Sequence, residues 1–477
     1  MNSPFTGADW VSVAPLSIVA VSALVVLLAD LLAPKNMSRY VPIGIALAGL
    51  IVAAIDCAAS YHGHDYAAFG GAFIVGGFSV VFQEIILICA AGSVVLYGTI
   101  GAGERTPGAI ALLLWSTCGA MLMAGAGNLM TIFLGLELLS LALYCLCGLA
   151  ERRTAREAAL KYLILSSTAS GFLLYGMALL FGATGSVALA DLVSPALASN
   201  PLLWLGAGMF LIGIAFKLSL VPFHTWSPDV YEGAPLPVTA FMSVATKAAT
   251  LAVFARFIYA ALPPGVDQRL LLPVWIIAAI SMIAGNVGML AQRDLKRLIA
   301  YSGIAQVGYI LTALAGGTAL GLRYAIFYIA AYTFMNLGAF AVAALLSGDA
   351  EQGSTLANYR GLGHRRPVAA ALMTFFLLAM AGLPPTAGFL GKVLILSTSV
   401  NTGYAWLGGF LIAGTAISLY AYAKVIFAMY ARDAHGQAHD LRPLAPLAWI
   451  SAVACFVLVL LMTFYPLTPS NVLPLVR

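Results

Sequence analysis

Residues 216–237 read FKLSLVPFHTWSPDVYEGAPLP and close an apolar run that starts near position 201. Lys217 stands at the end of that run, just before Pro222 and His224. Whether a full charge is out of place there depends on the solvent, and composition decides the solvent. Of 477 residues, 62% are hydrophobic and only 9% are charged, whereas soluble domains carry about 25% charged residues. Apolar runs of about 20 residues recur from end to end, each long enough to cross a hydrocarbon core about 30 Å thick. The ten-residue alternation of a membrane β-barrel is missing. The chain therefore reads as an all-α polytopic membrane protein whose first partner is the lipid bilayer. Its formal charge of +5 does not point to nucleic acid.

Working outward from 216–237, fourteen spans follow, at about 11–33, 39–60, 73–100, 107–126, 128–149, 158–183, 201–220, 236–261, 271–291, 297–316, 322–347, 368–400, 404–430 and 446–468. Loops after odd-numbered spans hold Lys35, Arg39, Arg105, Arg152, Arg153, Arg156, Arg293, Lys296, Arg297, Arg360, Arg365, Arg366, Arg432 and Arg442. The opposite side holds Arg269, Arg323 and Arg477. Because basic loops stay in the cytoplasm, both termini are expected on the periplasmic side of a bacterial inner membrane. The six cysteines all fall in apolar runs and read as small packing residues. His62, His64, His364, His435 and His439 lie in loops and read as solvated.

Six basic residues remain within or at the ends of spans. Arg256 and Lys424 lie near span ends, where a long side chain can snorkel to the headgroups. Glu137, Lys217, Lys247 and Lys392 have no such exit. Glu137 and Lys247 fall at mid-span, where a charge costs about 2.5–3.5 kcal/mol on insertion scales. Three lysines cannot all be paired by one glutamate, so a static ion-pair network does not account for them. Burial without a permanent partner disfavours an ammonium, and an approaching carboxylate restores it. At 4 Å and an effective dielectric of 20 that attraction is about 4 kcal/mol. A Glu–Lys pair whose separation changes therefore takes up and releases a proton. The chemistry needs lysine, because arginine keeps its proton. Two readings stand for Lys161, near the start of span 6: it snorkels, or it admits protons from the cytoplasm. Two stand for His224, beside the break: a relay, or a packing and capping residue. Asp229 and Glu232 read as structural residues where the helix restarts.

Prolines break span 7 (Pro222, Pro228) and span 12 (Pro384, Pro385). Freed carbonyls at such depth must be buried in protein or face water, and paired broken helices mark ion sites in transporters built from repeats. The breaks are five spans apart, so spans 4–8 and 9–13 would form two inverted five-helix repeats. This divides the chain into an N-terminal three-helix segment (1–106), a first repeat (107–262), a second repeat (271–430) and a C-terminal helix (446–477). The second repeat shows no carboxylate at the depth of Glu137. There is no Walker-type phosphate loop, no dinucleotide fingerprint after a strand and no metal-ligand spacing.

Four stretches carry a resemblance: FKLSLVPFHTWSPDVYEGAPLPVTAFMSVATKAA, REAALKYLILSSTASGFLLYGMALLFGATGS, RDLKRLIAYSGIAQVGYILTAL and GLPPTAGFLGK. They resemble the antiporter-like subunits of complex I, the proton-translocating NADH–quinone oxidoreductase, from about span 4 to span 13. Spans 1–3 and 14 agree only in number. The resemblance implies a proton path through Glu137, Lys217, Lys247 and Lys392, with Lys161 on the span 6 side. It implies no cofactor in this chain, since FMN, iron–sulfur clusters and the quinone headgroup belong to other subunits. It implies other membrane-arm and peripheral-arm subunits as partners. Lysine at position 392 and a chain that stops after span 14, with no lateral helix, single out one branch of that family. A subunit of a multisubunit cation/proton antiporter shares the same motifs and is the alternative.

Overall fold

A computed structural model describes residues 6–32, 38, 40–61, 63–100, 106–193, 199–261, 271–346, 354–431 and 446–464. Among the residues used for orientation, Lys35, Arg39, Arg105, Arg269, Arg432, Arg442 and Arg477 lie outside the described residues, as do His62, His435 and His439.

The chain opens with α1 (Gly7–Ser12), α2 (Ala14–Leu32) and α3 (Tyr40–Ala59). A short hairpin of β1 (Tyr66–Ala68) and β2 (Phe73–Val75) leads into α4 (Gly77–Ile100). The first five-helix unit comprises α5 (Thr106–Gly125), α6 (Leu129–Gly148), α7 (Arg153–Thr184), the broken pair α8 (Pro201–Lys217) and α9 (Trp226–Gly233), and α10 (Leu236–Arg256). The second comprises α11 (Leu272–Leu290), α12 (Leu295–Leu314) and α13 (Ala319–Leu346), then, after the one-turn α14 (Leu362–Arg365), the broken pair α15 (Pro367–Ala381) and α16 (Ala387–Asn401), and α17 (Ala405–Tyr430). Helix α18 (Pro446–Phe464) ends the described chain. Twelve of these helices are long and apolar enough to cross a membrane. Helix α8 and the α15–α16 pair are shorter because they are the broken spans 7 and 12.

The two units share a packing plan: first helix on second, third on the broken fourth, and fifth back onto the first. Without water there is little hydrophobic drive between helices, so small residues let backbones meet. Gly119 of α5 and Gly135 of α6 lie face to face, where a Cβ on Gly119 would come within 2.6 Å of the Gly135 carbonyl. Gly176 and Gly206 do the same between α7 and α8. Capping also repeats. Asn128 accepts from the Thr131 N–H at the start of α6, and Asp294 accepts from the Arg297 N–H at the start of α12, each satisfying an orphan donor.

Helix α10 is the centre of the bundle, with every residue from Leu236 to Ala255 buried. A helix apolar all round belongs inside, and this one carries Lys247 into the interior between the two units.

Candidate functional site

Each broken helix ends in a left-handed residue followed three positions later by proline. In the first unit these are Ser219 (φ 58°) and Pro222; in the second, Gly382 (φ 84°) and Pro385. The Val221–Pro222 and Pro384–Pro385 peptides are cis. Aligned on these residues, Lys217 falls opposite Met380, and Lys392 falls opposite Asp229. The two lysines therefore approach their breaks from opposite sides.

In the first unit, Lys217 is 2% exposed. Its Nζ donates to Ser140 Oγ at 2.7 Å and Ser166 Oγ at 2.8 Å. It also lies 5.1 Å from the Tyr162 ring centre and 5.9 Å from that of Tyr144. Hydroxyls and ring faces thus take the place of water around the ammonium. Glu137, part-exposed on α6, accepts from Ser170 Oγ at 2.5 Å. Ser166 and Ser170 are one turn apart on α7, so one helix face holds both the ammonium and the carboxylate. No ion pair within 4 Å joins Lys217 to Glu137; the described ion pairs lie elsewhere. The break is braced by Trp226, whose Nε1 donates at 3.0 Å to the Phe216 carbonyl, which the Ser219 N–H also reaches, and whose ring stacks on Tyr162 at 4.7 Å. The Val221 N–H donates to Ser281 Oγ of α11 at 2.9 Å, tying the first break to the second unit.

In the second unit, Lys392 is 4% exposed and donates to the carbonyls of Ala381 at 2.8 Å and Met380 at 3.2 Å. These two carbonyls would ordinarily accept from residues 384 and 385, but both are prolines and have no N–H. The lysine replaces the donors that the prolines remove. Its Nζ also lies 4.7 Å from the Tyr309 ring centre. Gln306 donates from Nε2 to the same Met380 carbonyl at 3.1 Å and accepts from Tyr328 Oη at its Oε1.

Lys247 is 1% exposed, and its Nζ has no hydrogen-bond partner among the described residues. It lies 5.8 Å from the Tyr332 ring centre, against Gly303, where a Cβ would come within 2.0 Å of Nζ.

Lys161 stands apart from this interior row. It pairs with Glu157 at 2.8 Å and Asp229 at 2.9 Å, with its side chain 42% exposed. Arg297 of α12 pairs with Asp229 at 2.6 Å and Glu232 at 3.0 Å, so the network stitches α7 and α9 to α12. Burial works against the charge on Asp229, but the hydrogen bonds and charges of Lys161 and Arg297 prevail and hold its carboxyl below the ordinary range. His224 is half-buried and faces Tyr301 edge-on at 6.4 Å, and its Nδ1 has no hydrogen-bond partner among the described residues; no hydrogen bond joins it to Lys217.

Two expectations are corrected. Arg256 does not snorkel: it donates to Ser79 Oγ at 2.8 Å and the Ala124 carbonyl at 3.2 Å, over the Phe78 ring. Inward polar partners outcompete the headgroups. Lys296, counted as a loop charge, is 2% exposed in the first turn of α12 and donates to the Ala234 carbonyl at 2.8 Å. Lys424 is exposed, and its Nζ donates to the Leu290 carbonyl of α11 at 3.2 Å. Ser140, Ser166, Ser170 and Gln306 were not singled out from the sequence. The serine pair at i and i+4 and a lone amide inside an apolar helix were the available signals.

Residues 126–418 match the family described as NADH:quinone oxidoreductase/Mrp antiporter, TM. The chain is 40% identical over 447 residues to the NADH-quinone oxidoreductase subunit N of Trichlorobacter lovleyi, covering 91% of this chain and 90% of that protein. It superposes on a chain of respiratory complex I from Thermus thermophilus with a TM-score of 0.82 at 34% identity, covering 95% of this chain and 98% of that one. A chain of the Mrp complex from Dietzia superposes with a TM-score of 0.82 at 20% identity, covering 98% and 96%, which is a likeness of fold.

Proposed function

The chain belongs to the NADH:quinone oxidoreductase/Mrp antiporter membrane family, and from that premise we propose that it is an N-type membrane-arm subunit of complex I that carries protons. It sits in a bacterial inner membrane with both termini on the periplasmic side, among the other membrane-arm and peripheral-arm subunits. Redox chemistry at FMN, iron–sulfur clusters and quinone takes place in those partners, and this chain contributes proton movement alone. Glu137, Lys217, Lys247 and Lys392 form the path. Lys161 serves the cytoplasmic mouth and His224 stands beside the first break.

One observation carries the reading. Lys217, Lys247 and Lys392 are each buried to within 4% exposure, and among the described residues none of the three has a carboxylate within 4 Å. A structural ion pair would keep its partner in contact, because an uncompensated buried charge costs several kcal/mol. Neutral partners instead let lysine gain or lose a proton with little rearrangement. The cation/proton antiporter reading shares the fold, but the Mrp likeness stands at 20% identity against 40% for the subunit N relative.

The test is proton translocation by the intact complex in proteoliposomes. Lys217→Ala and Glu137→Ala are expected to cut pumping and coupled quinone reduction at least about tenfold while the complex still assembles. Loss of assembly with normal pumping per assembled complex would make the row a packing device instead.

A further inference from the structure

The Asx caps place α6 and α12 in a common register, Asn128 opposite Asp294. Nine residues on from the cap, Glu137 falls opposite Gly303. A Cβ at 303 would come within 2.0 Å of Lys247 Nζ, so in the second unit the ammonium occupies the place next to this position. Twelve residues on from the cap, Ser140 falls opposite Gln306. Ser140 accepts directly from Lys217. Gln306 reaches Lys392 at one remove, through the Met380 carbonyl that both side chains donate to.

We propose that Gln306 is the positioning residue of the second unit, holding the Met380 carbonyl where Lys392 can leave and rejoin it. This rests on the reading of Lys392 as a proton carrier. When Lys392 loses its proton and swings away, the Met380 carbonyl has no N–H from Pro384 to fall back on. Gln306 Nε2 keeps it satisfied, and a bare buried carbonyl is thereby avoided. Tyr328 donates to Gln306 Oε1 and so fixes which end of the amide faces the carbonyl. The residue is 2% exposed, on a face of α12 that also presents Ser302 to Tyr422. The amide is chemically apt. A carboxylate here would pair with Lys392 and retain its proton, and an apolar side chain would leave both the carbonyl and Tyr328 short of a partner.

The experiment compares Gln306→Glu, Gln306→Leu and Lys392→Ala in the intact complex in proteoliposomes, reading protons moved per NADH oxidised across pH. Gln306→Glu is expected to slow pumping at neutral pH about tenfold and to move the alkaline limb of the pH profile up by about one unit, as an added charge nearby should. Gln306→Leu is expected to slow pumping without moving that limb. A merely structural glutamine would leave the limb of Gln306→Glu unmoved. If that occurs while Lys392→Ala abolishes pumping, the role of Gln306 is overturned and the proton path stands. If Lys392→Ala pumps normally, the path through Lys392 fails, whatever the Gln306 variants do. Should Gln306→Leu not assemble, the pH profile of Gln306→Glu decides alone.

Discussion

The two halves of the bundle hold a buried ammonium in different ways. Around Lys217 the acceptors are side-chain hydroxyls, Ser140 and Ser166, with Glu137 held one turn away by Ser170. Around Lys392 the acceptors are backbone carbonyls that Pro384 and Pro385 have deprived of donors, shared with an amide. The first half keeps a carboxylate near, so its proton affinity follows the distance between two side chains. The second has none among the described residues, so its affinity follows the fit of the lysine to a fixed backbone. A repeat fold thus preserves the break and changes what answers it.

The largest difference should appear on removing each lysine. Lys392→Ala strands the buried Ala381 carbonyl, at a cost of about 1–3 kcal/mol, and leaves Met380 to Gln306 alone, whereas Lys217→Ala leaves serine hydroxyls, and Ser140 already donates to the Leu136 carbonyl. Lys392→Ala should therefore lower the melting temperature of the purified complex more than Lys217→Ala does, though both stop pumping. Equal losses of stability would break the comparison.

Smaller effects sharpen it. Ser166→Ala removes one of two acceptors to a charged donor, a loss of about 1.5–3 kcal/mol, and is expected to slow pumping roughly tenfold with assembly intact. Ser170→Ala touches only Glu137 and should slow it less. If both variants pump normally, the hydroxyls of α7 are bystanders, and the first half depends on Glu137 and Lys217 alone.

The smallest effect is expected at the mouth, where Lys161, Asp229 and Arg297 are part-exposed. Such pairs contribute about 0–1 kcal/mol and weaken with salt. The Asp229 carboxyl is held below its ordinary range, so its contribution is present at neutral pH and is lost as pH falls through its lowered folded-state value. Asp229→Asn should cost little stability at pH 7 and flatten the acid dependence of melting below about pH 4, the ordinary carboxyl value. An effect as large as that of Ser166→Ala would make the mouth part of the path.

Much of this arrangement was legible in the sequence. The spans, the two breaks and the out-of-place charges each follow from the cost of a polar group in lipid, which residue type alone reveals. The prolines that free the Met380 and Ala381 carbonyls are written in the chain as well. What was not legible is who answers them. Arg256 was expected to snorkel and instead reaches Ser79, 177 positions away. Lys296 looked like a loop charge until α9 and α12 met. The serines of α7 and the glutamine of α12 are common residues whose meaning comes from the neighbour they face.

By itself, the sequence determined that the chain lies in a membrane, where its helices break, and that it buries lysines there, because hydrocarbon tolerates few alternatives. The tertiary structure decided the partners: hydroxyls for Lys217, backbone carbonyls for Lys392, and among the described residues no hydrogen bond for Lys247. That choice is set by distances of about 3 Å between helices far apart in the chain, and a hydrogen bond fades within a few tenths of an ångström. Only the packing of the helices fixes distances that finely.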